Sequence, residues 1–246
     1  MEIIYETKGK AKEYAPLSAN LYNGCSHGCT YCYSPQSLGT EKTCFHDNVK
    51  TAGNALDRFA RDASLLKGKK DDREILLSFM TDPYQPIEDD LLVTRQAIEK
   101  LIRNNLRFTI LTKGGTRAAR DFVLLEGYAG CSFGTTLIFQ SQQDSDLWEP
   151  GAASIYDRII AIKQARERGI RTWVSIEPVI DPGQALGLIK SLHEYVDHWK
   201  IGKINYYPEI EEKTDWFAFR RDVSTLLESL NKDYYLKKSL TDLETG

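Results

Sequence analysis

The 246-residue chain has no apolar run near the roughly 20 residues needed to cross a bilayer, which excludes a helical membrane span. Its opening residues, Met1-Glu2-Ile3-Ile4-Tyr5-Glu6, lack the basic flank and apolar stretch of a secretory signal. It has no repeat at a fixed period and no low-complexity linker, which excludes a solenoid and a long tether. Strong charge of one sign is also missing. The 32 Lys and Arg face 35 Asp and Glu, a net charge of −3, so any nucleic-acid contact needs a local basic patch. Cysteine is scarce and odd in number. Three of the five crowd into one stretch, a poor disulfide framework and a good cluster site. The expected compartment is a reducing cytoplasm.

What is present starts with Cys25-Ser26-His27-Gly28-Cys29-Thr30-Tyr31-Cys32. Small polar residues between the cysteines let the loop curl and aim three sulfurs at one point. Thiolates are soft ligands that suit iron–sulfur clusters or zinc. On a cubic four-iron cluster, three thiolates leave one iron open. In a zinc site they leave a vacancy that Cys44 or His46 would fill.

A composition of 41% hydrophobic and 27% charged residues can build one sizeable core. Short β-rich runs alternate with amphipathic helices. Strands are expected at 17–22, 74–79, 107–112, 131–139, 171–176 and 196–201. The run 74–79 is apolar throughout, as in a strand buried on both faces. Helices are expected at 49–66 behind Asn48, at 88–103, from Thr116, at 154–168, from the Asp181-Pro182 cap to Tyr195, and at 214–230. Residues 140–151 read as a polar loop. Residues 1–16 read as a solvated arm carrying Lys8, Lys10 and Lys12, residues 17–230 as the main domain, and 231–246 as a tail able to add a strand.

Six βα units call for a parallel sheet with right-handed crossovers, and doubly wound and barrel arrangements both fit. Either one gathers functional loops at the carboxyl ends of the strands. The cysteines, Thr81-Asp82, Lys113, residues 135–140, Glu177 and Lys203 to Asn205 all fall there.

With these residues in place the chain resembles the radical SAM superfamily, whose signature is a CxxxCxxC loop after the first strand. Within it, the chain is most similar to the spore photoproduct lyase group, or DNA repair photolyase-like proteins. The matching residues are Thr81-Asp82-Pro83-Tyr84-Gln85-Pro86 with Glu88, Thr94-Arg95, Thr112-Lys113, and Glu149-Pro150 with Arg158. Only 24 residues precede Cys25, so a chain close to the bare barrel is expected.

The resemblance implies an α/β fold, a partial (β/α)6 TIM-type barrel with parallel strands. It implies a [4Fe–4S] cluster on Cys25, Cys29 and Cys32, with S-adenosylmethionine (SAM) on the open iron. An external one-electron donor of flavodoxin or ferredoxin type would drive cleavage to a 5′-deoxyadenosyl radical, which abstracts hydrogen from substrate. Thr81 and Asp82 would accept from the SAM ammonium, and Lys113 would pair with its carboxylate. Thr135 or Thr136 would meet ribose, Glu177 would meet ribose or substrate, and Tyr31 would offer backbone to adenine and pack its ring near the cluster. Cys44 is a candidate hydrogen donor near the site.

The implied substrate is a nucleobase or nucleotide, in DNA repair or modification. Tyr84, Trp148, Tyr206 and Tyr207 could stack a base, Asn205 could contact it, and Lys8, Lys10, Lys12, Lys237 and Lys238 could meet phosphates. The alternatives are a peptide or small-metabolite substrate, or a non-catalytic metal-binding protein. Elsewhere, Glu149 and Arg158 are expected to pair and shape their loop. Cys131 is expected to be a buried apolar residue, and His27 to point away from the cysteine loop.

Overall fold

The computed structural model describes residues 2–243. Its strands are β1 (Ile4–Glu6), β2 (Leu17–Ala19), β3 (Tyr22–Asn23), β4 (Lys50–Thr51), β5 (Ile75–Leu77), β6 (Phe108–Thr112), β7 (Cys131–Thr136), β8 (Arg171–Val179), β9 (His198–Lys203) and β10 (Asp233–Leu236). Eight of these form one sheet in the order β1-β2-β5-β6-β7-β8-β9-β10, and β3 pairs with β4 in a small hairpin. From β2 to β10 every pairing in the large sheet is parallel, and β1 alone runs antiparallel to its neighbour. The sheet curves without closing, so the fold is an α/β partial barrel.

The continuous apolar run in β5 reflects two-sided burial. Ile75 and Leu77 pack outward into the core shared with the helices. Leu76 points into the lumen beside Tyr14, Ala15 and Trp173. The outer layer consists chiefly of helices Ala55–Gly68, Val93–Arg103, Ile155–Glu167, Pro182–Leu192 and Trp216–Ser229. Three of these start at side-chain caps, the last with Asp215 accepting from the Ala218 amide. Ser154 accepts from the Asp157 amide, and Asp181 accepts from the Gln184 amide with Pro182 following it.

Several expectations change. The helix expected over 49–66 starts at Ala55, because residues 50–51 pair with β3, and two short helices, Ser34–Ser37 and Lys42–Asp47, precede it. The helix expected over 88–103 breaks at Leu92, whose φ is +52°. The polar loop at 140–151 contains a helix, Gln142–Trp148, capped by Ser141. The segment from Thr116 is a 3-10 helix, Gly115–Asp121, running into Phe122–Leu125.

The largest correction concerns the arm at 1–16. Its lysines are exposed, yet Ile3, Ile4, Thr7, Ala11, Tyr14 and Ala15 are buried. The Ile3 and Ile4 amides donate to Asp62 Oδ2 at 2.6 and 3.3 Å. After β1 the chain crosses the gap left by the open sheet. Glu13 Oε1 takes the Tyr235 hydroxyl at 3.1 Å and the Lys238 amide at 2.7 Å. Lys200 Nζ holds the carbonyls of Tyr14 and Glu13 at 2.6 and 3.3 Å. This segment is therefore part of the barrel wall. At the other end, β10 adds in parallel to β9; residue 1 of the arm and residues 244–246 of the tail lie outside the described residues.

Candidate functional site

The cysteine loop leaves β3 through Gly24, whose φ of +83° and close approach to the Phe45 carbonyl leave no room for a Cβ. Gln85, fully buried, clamps the loop from below. Its Oε1 accepts from the Ser26 amide at 3.0 Å and its Nε2 donates to the Gly24 carbonyl at 3.2 Å. From one side, the Phe45 carbonyl takes the Cys25 amide at 3.2 Å and His46 Nδ1 meets the Cys25 carbonyl at 2.7 Å. From the other, Thr30 N donates to the Trp148 carbonyl at 2.9 Å and Gly151 N to the His27 carbonyl at 2.8 Å. Within the loop, Cys32 N donates to Cys29 O at 3.1 Å, so the last two cysteines share one turn.

Burial and the Asp82 charge push the Cys25 thiol up to about 12. Burial, with Lys113 acting against it, pushes Cys29 to about 11. Cys44 is exposed on helix Lys42–Asp47, with Asn48 Nδ2 3.7 Å from its sulfur. The candidate hydrogen donor thus stands on the protein surface. Cys131 is buried as expected, at the start of β7.

Asp82 is spent inside the protein. Oδ1 accepts from Thr112 Oγ1 at 2.6 Å and the Tyr84 amide at 2.8 Å; Oδ2 accepts from the Lys113 amide at 2.7 Å. His27 Nδ1 stands 3.4 Å from Oδ2. Burial alone would raise the Asp82 pKa, but His27, Thr112 and the Lys113 amide hold it near about 2. His27 is thus turned inward and buried, contrary to expectation, and ties the cysteine loop to β6. Beside it, Thr81 Oγ1, Ser78 Oγ, His27 Nε2 and His46 Nε2 are buried without a partner.

A second hub is Glu149, where the expected pair with Arg158 is found at 2.6 Å. The Tyr31 hydroxyl also donates to Glu149, and Lys113 Nζ lies 3.9 Å away. Arg158 uses four of its five N–H groups, donating also to the Ala153 and Thr136 carbonyls and to Ser145 Oγ. Burial opposes charge on both Glu149 and Lys113. Arg158 and Lys113 nevertheless lower the Glu149 pKa, and Cys29 with Glu149 raises that of Lys113. The result is a partly buried cation close to the sulfur of Cys29.

Other expected contacts are redirected. Thr135 Oγ1 donates to the Thr112 carbonyl between strands at 2.8 Å, so it is not free for a ribose. Glu177 Oε2 receives the Tyr14 hydroxyl and, at 2.7 Å, Lys237 Nζ, so that oxygen is engaged inside the protein and the buried Lys237 is turned away from a phosphate. Tyr84 is wholly buried with its hydroxyl 3.0 Å from Asp121, so it cannot stack a base. Asn205 Nδ2 caps its own turn at the Lys203 carbonyl, 3.1 Å. Trp148 and Tyr207 meet edge on at 5.4 Å, and Tyr207 donates to the Thr30 carbonyl at 3.0 Å. Tyr206 is exposed, with Lys10 5.7 Å from its ring centre.

The residues sequence reasoning missed are Gln85, the inward His27, and Tyr14, which fills the lumen between Phe79 and Trp173. Gln85 stood inside the quoted Thr81 to Pro86 block, and its side-chain amide, able to give and take at once, was the available signal.

Among the described residues, no three His, Cys, Asp or Glu side chains are arranged to hold a single metal ion. The donor set on the loop is three thiols, with Cys44 exposed and His46 Nδ1 engaged by backbone. An all-thiolate triad beside a partly buried lysine and unpartnered hydroxyls fits a soft, anionic iron–sulfur centre better than a zinc ion needing a fourth protein ligand.

Comparison with known proteins agrees in outline. A family model described as the Radical SAM superfamily matches residues 19–196. An uncharacterized protein of Methanocaldococcus jannaschii is 31% identical over 162 residues, 65% of this chain, and the match spans 59% of that protein's length. A spore photoproduct lyase complexed with dinucleoside spore photoproduct superposes with a TM-score of 0.70 at 15% identity, covering 94% of this chain and 78% of its own. Streptococcus suis SuiB bound to S-adenosylmethionine superposes at 0.67 and 12% identity, covering 93% and 53%. At these identities the structural matches bear on the fold.

Proposed function

The chain belongs to the radical SAM superfamily, whose members are enzymes of radical chemistry built on a [4Fe–4S] cluster and SAM, and from that premise we propose that it is a radical SAM enzyme acting on a nucleobase or nucleotide. Cys25, Cys29 and Cys32 hold the cluster. When bound, cluster and SAM supply a carbon-centred radical that takes a hydrogen atom from substrate.

The chain's own groups do the positioning. Thr81 Oγ1 and Ser78 Oγ, buried and unpartnered, receive the polar groups of SAM. Asp82 orients the loop through His27 rather than meeting the ammonium itself. Lys113 balances the negative charge of the thiolate centre from beside Cys29. Tyr31, held by Glu149, sets the ring against which the loop packs. The N-terminal arm and Tyr14 keep water out of the lumen. An external one-electron donor, of flavodoxin or ferredoxin type, and a reducing cytoplasm complete the scheme.

The observation that carries the substrate reading is the mouth beside the cysteines. Trp148 and Tyr207 form an aromatic wall, Lys42 Nζ sits on the Thr30 carbonyl at 2.7 Å, and Lys10 lies over the exposed Tyr206. Base stacking on such rings contributes about 1–3 kcal/mol per base, and lysines meet phosphates. Both a dinucleoside and a precursor peptide are bound by the structurally similar proteins, spore photoproduct lyase and SuiB respectively. Flat rings interleaved with lysine favour the nucleotide.

The test is anaerobic reconstitution with iron and sulfide, followed by SAM, dithionite and deuterated nucleotides or oligonucleotides. Deuterium is expected in the 5′-deoxyadenosine released. No 5′-deoxyadenosine at all sinks the enzyme reading; 5′-deoxyadenosine labelled only by peptides sinks the nucleotide.

A further inference from the structure

The barrel has a second mouth, at the amino ends of the strands and so opposite the cysteine face. There a cavity of about 190 Å³ is lined by Glu74, Arg107, Thr109, Ser132, Arg171, Thr172, Trp173, His198, Lys200 and Asp233. Its inner wall is built from buried Thr109, Ser132, Thr172 and Trp173.

The polar groups around it are mostly donors. Arg107 makes no side-chain hydrogen bond or ion pair with any described residue, so its five N–H groups face solvent or a ligand. Thr109 Oγ1 and Ser132 Oγ lie 2.7 Å apart; one donates to the other, which leaves the second hydroxyl proton uncommitted. Lys200 uses two of its three N–H groups on the carbonyls of Tyr14 and Glu13 and keeps one. Of the two carboxylates, Asp233 is already taken, by His198 Nδ1 at 2.8 Å and Arg171 at 3.7 Å. Glu74 makes no direct ion pair among the described residues, and its charge acts on Lys200. Burial lowers the His198 pKa, so that ring adds no charge. Arg107, Arg171 and Lys200 then face Glu74 and Asp233, an excess of one positive charge in a concave, partly desolvated site.

We propose that this lower mouth is a binding site for a small oxyanion, a phosphate or short carboxylate group, held chiefly by Arg107 with Arg171, Lys200 and the Thr109–Ser132 hydroxyl pair. A guanidinium fork matches either oxyanion with two parallel hydrogen bonds. The volume equals the share of about six water molecules, which admits such a group and excludes a nucleotide. The inference stands apart from the cysteine face, because the two sites lie at opposite ends of the strands.

Calorimetric titration of the full-length holoprotein with inorganic phosphate and, separately, with malonate tests it, at ionic strength held constant with chloride. One saturable site per chain is expected for at least one probe, and the stronger probe identifies the headgroup. Arg107→Ala and Arg171→Ala should each weaken binding about tenfold, and Lys190→Ala, an exposed lysine on helix Pro182–Leu192, should leave it unchanged. Both arginines are exposed, so folding should survive their loss, which circular dichroism checks. Binding of neither probe, wild-type affinity in Arg107→Ala, or equal weakening by Lys190→Ala overturns the proposal.

Discussion

Arg158 and Glu149 meet at 2.6 Å with 0% and 1% of their side chains exposed, and between them they fix the 140–151 segment over the cysteine loop. Removing one partner strands the other charge away from water. Arg158→Met should therefore cost about 3–5 kcal/mol of stability, read as a drop in the urea midpoint. A loss below about 1 kcal/mol, the range of exposed pairs, would show that the pair is not a hub.

The three loop cysteines should be unequal to the other two. Cys25→Ala, Cys29→Ala and Cys32→Ala should each abolish bound iron and sulfide after anaerobic reconstitution. Cys44→Ala and Cys131→Ala should retain both, since one thiol is exposed and the other lies at the far end of β7. Iron retained in full by any of the first three would remove that residue from the ligand set.

Gln85 satisfies a carbonyl and an amide on either side of Cys25. Gln85→Leu keeps the bulk but leaves both backbone groups unpaired, at a cost of about 1–3 kcal/mol for each. The cluster should then be lost faster to a chelator than from wild type. An unchanged rate would mean that His46 and the Phe45 carbonyl hold the loop unaided.

Burial lowers the Lys200 pKa to about 8 from its ordinary value of 10.5. Between those values the unfolded chain binds the proton and the folded chain does not, so stability rises with pH in that window. Relative to Lys200→Met, the wild type should gain stability from pH 8 to about 10.5, measured by urea unfolding at each pH. A flat difference would place the lysine in a better-solvated setting.

The six expected strands were legible in the sequence, β5 as an unbroken apolar run written by two-sided burial and the others as short β-rich runs ending in polar loop residues. The helix boundaries were less so. Asn48 has the chemistry of a cap, but residues 50–51 bond to β3, a partner that local pattern cannot reveal. The cysteine loop was legible as a motif, and the Glu149–Arg158 pair as two charges flanking one segment. The inward hydrogen bonds of Asp82, Thr135 and Glu177 were missed for one reason. Each sits at the expected strand end, but its hydrogen bonds go to neighbours distant in sequence, at Thr112 for the first two and at Tyr14 and Lys237 for the third. Position along a strand shows which face a residue serves, and only the assembled barrel shows whether its donors and acceptors are already used. The arm was misread because its exposed lysines outweigh its few buried residues in composition.

The bridge from Glu13 to Tyr235 and Lys238 makes the two ends of the barrel chain halves of one latch. Among the described residues no ladder of backbone hydrogen bonds joins β1 to β10; bonds that each involve a side chain fasten that panel. Removing the segment up to Ala15 or the segment from Asp233 onward would thus produce the same lesion, an unroofed lumen, although the two segments lie far apart in sequence.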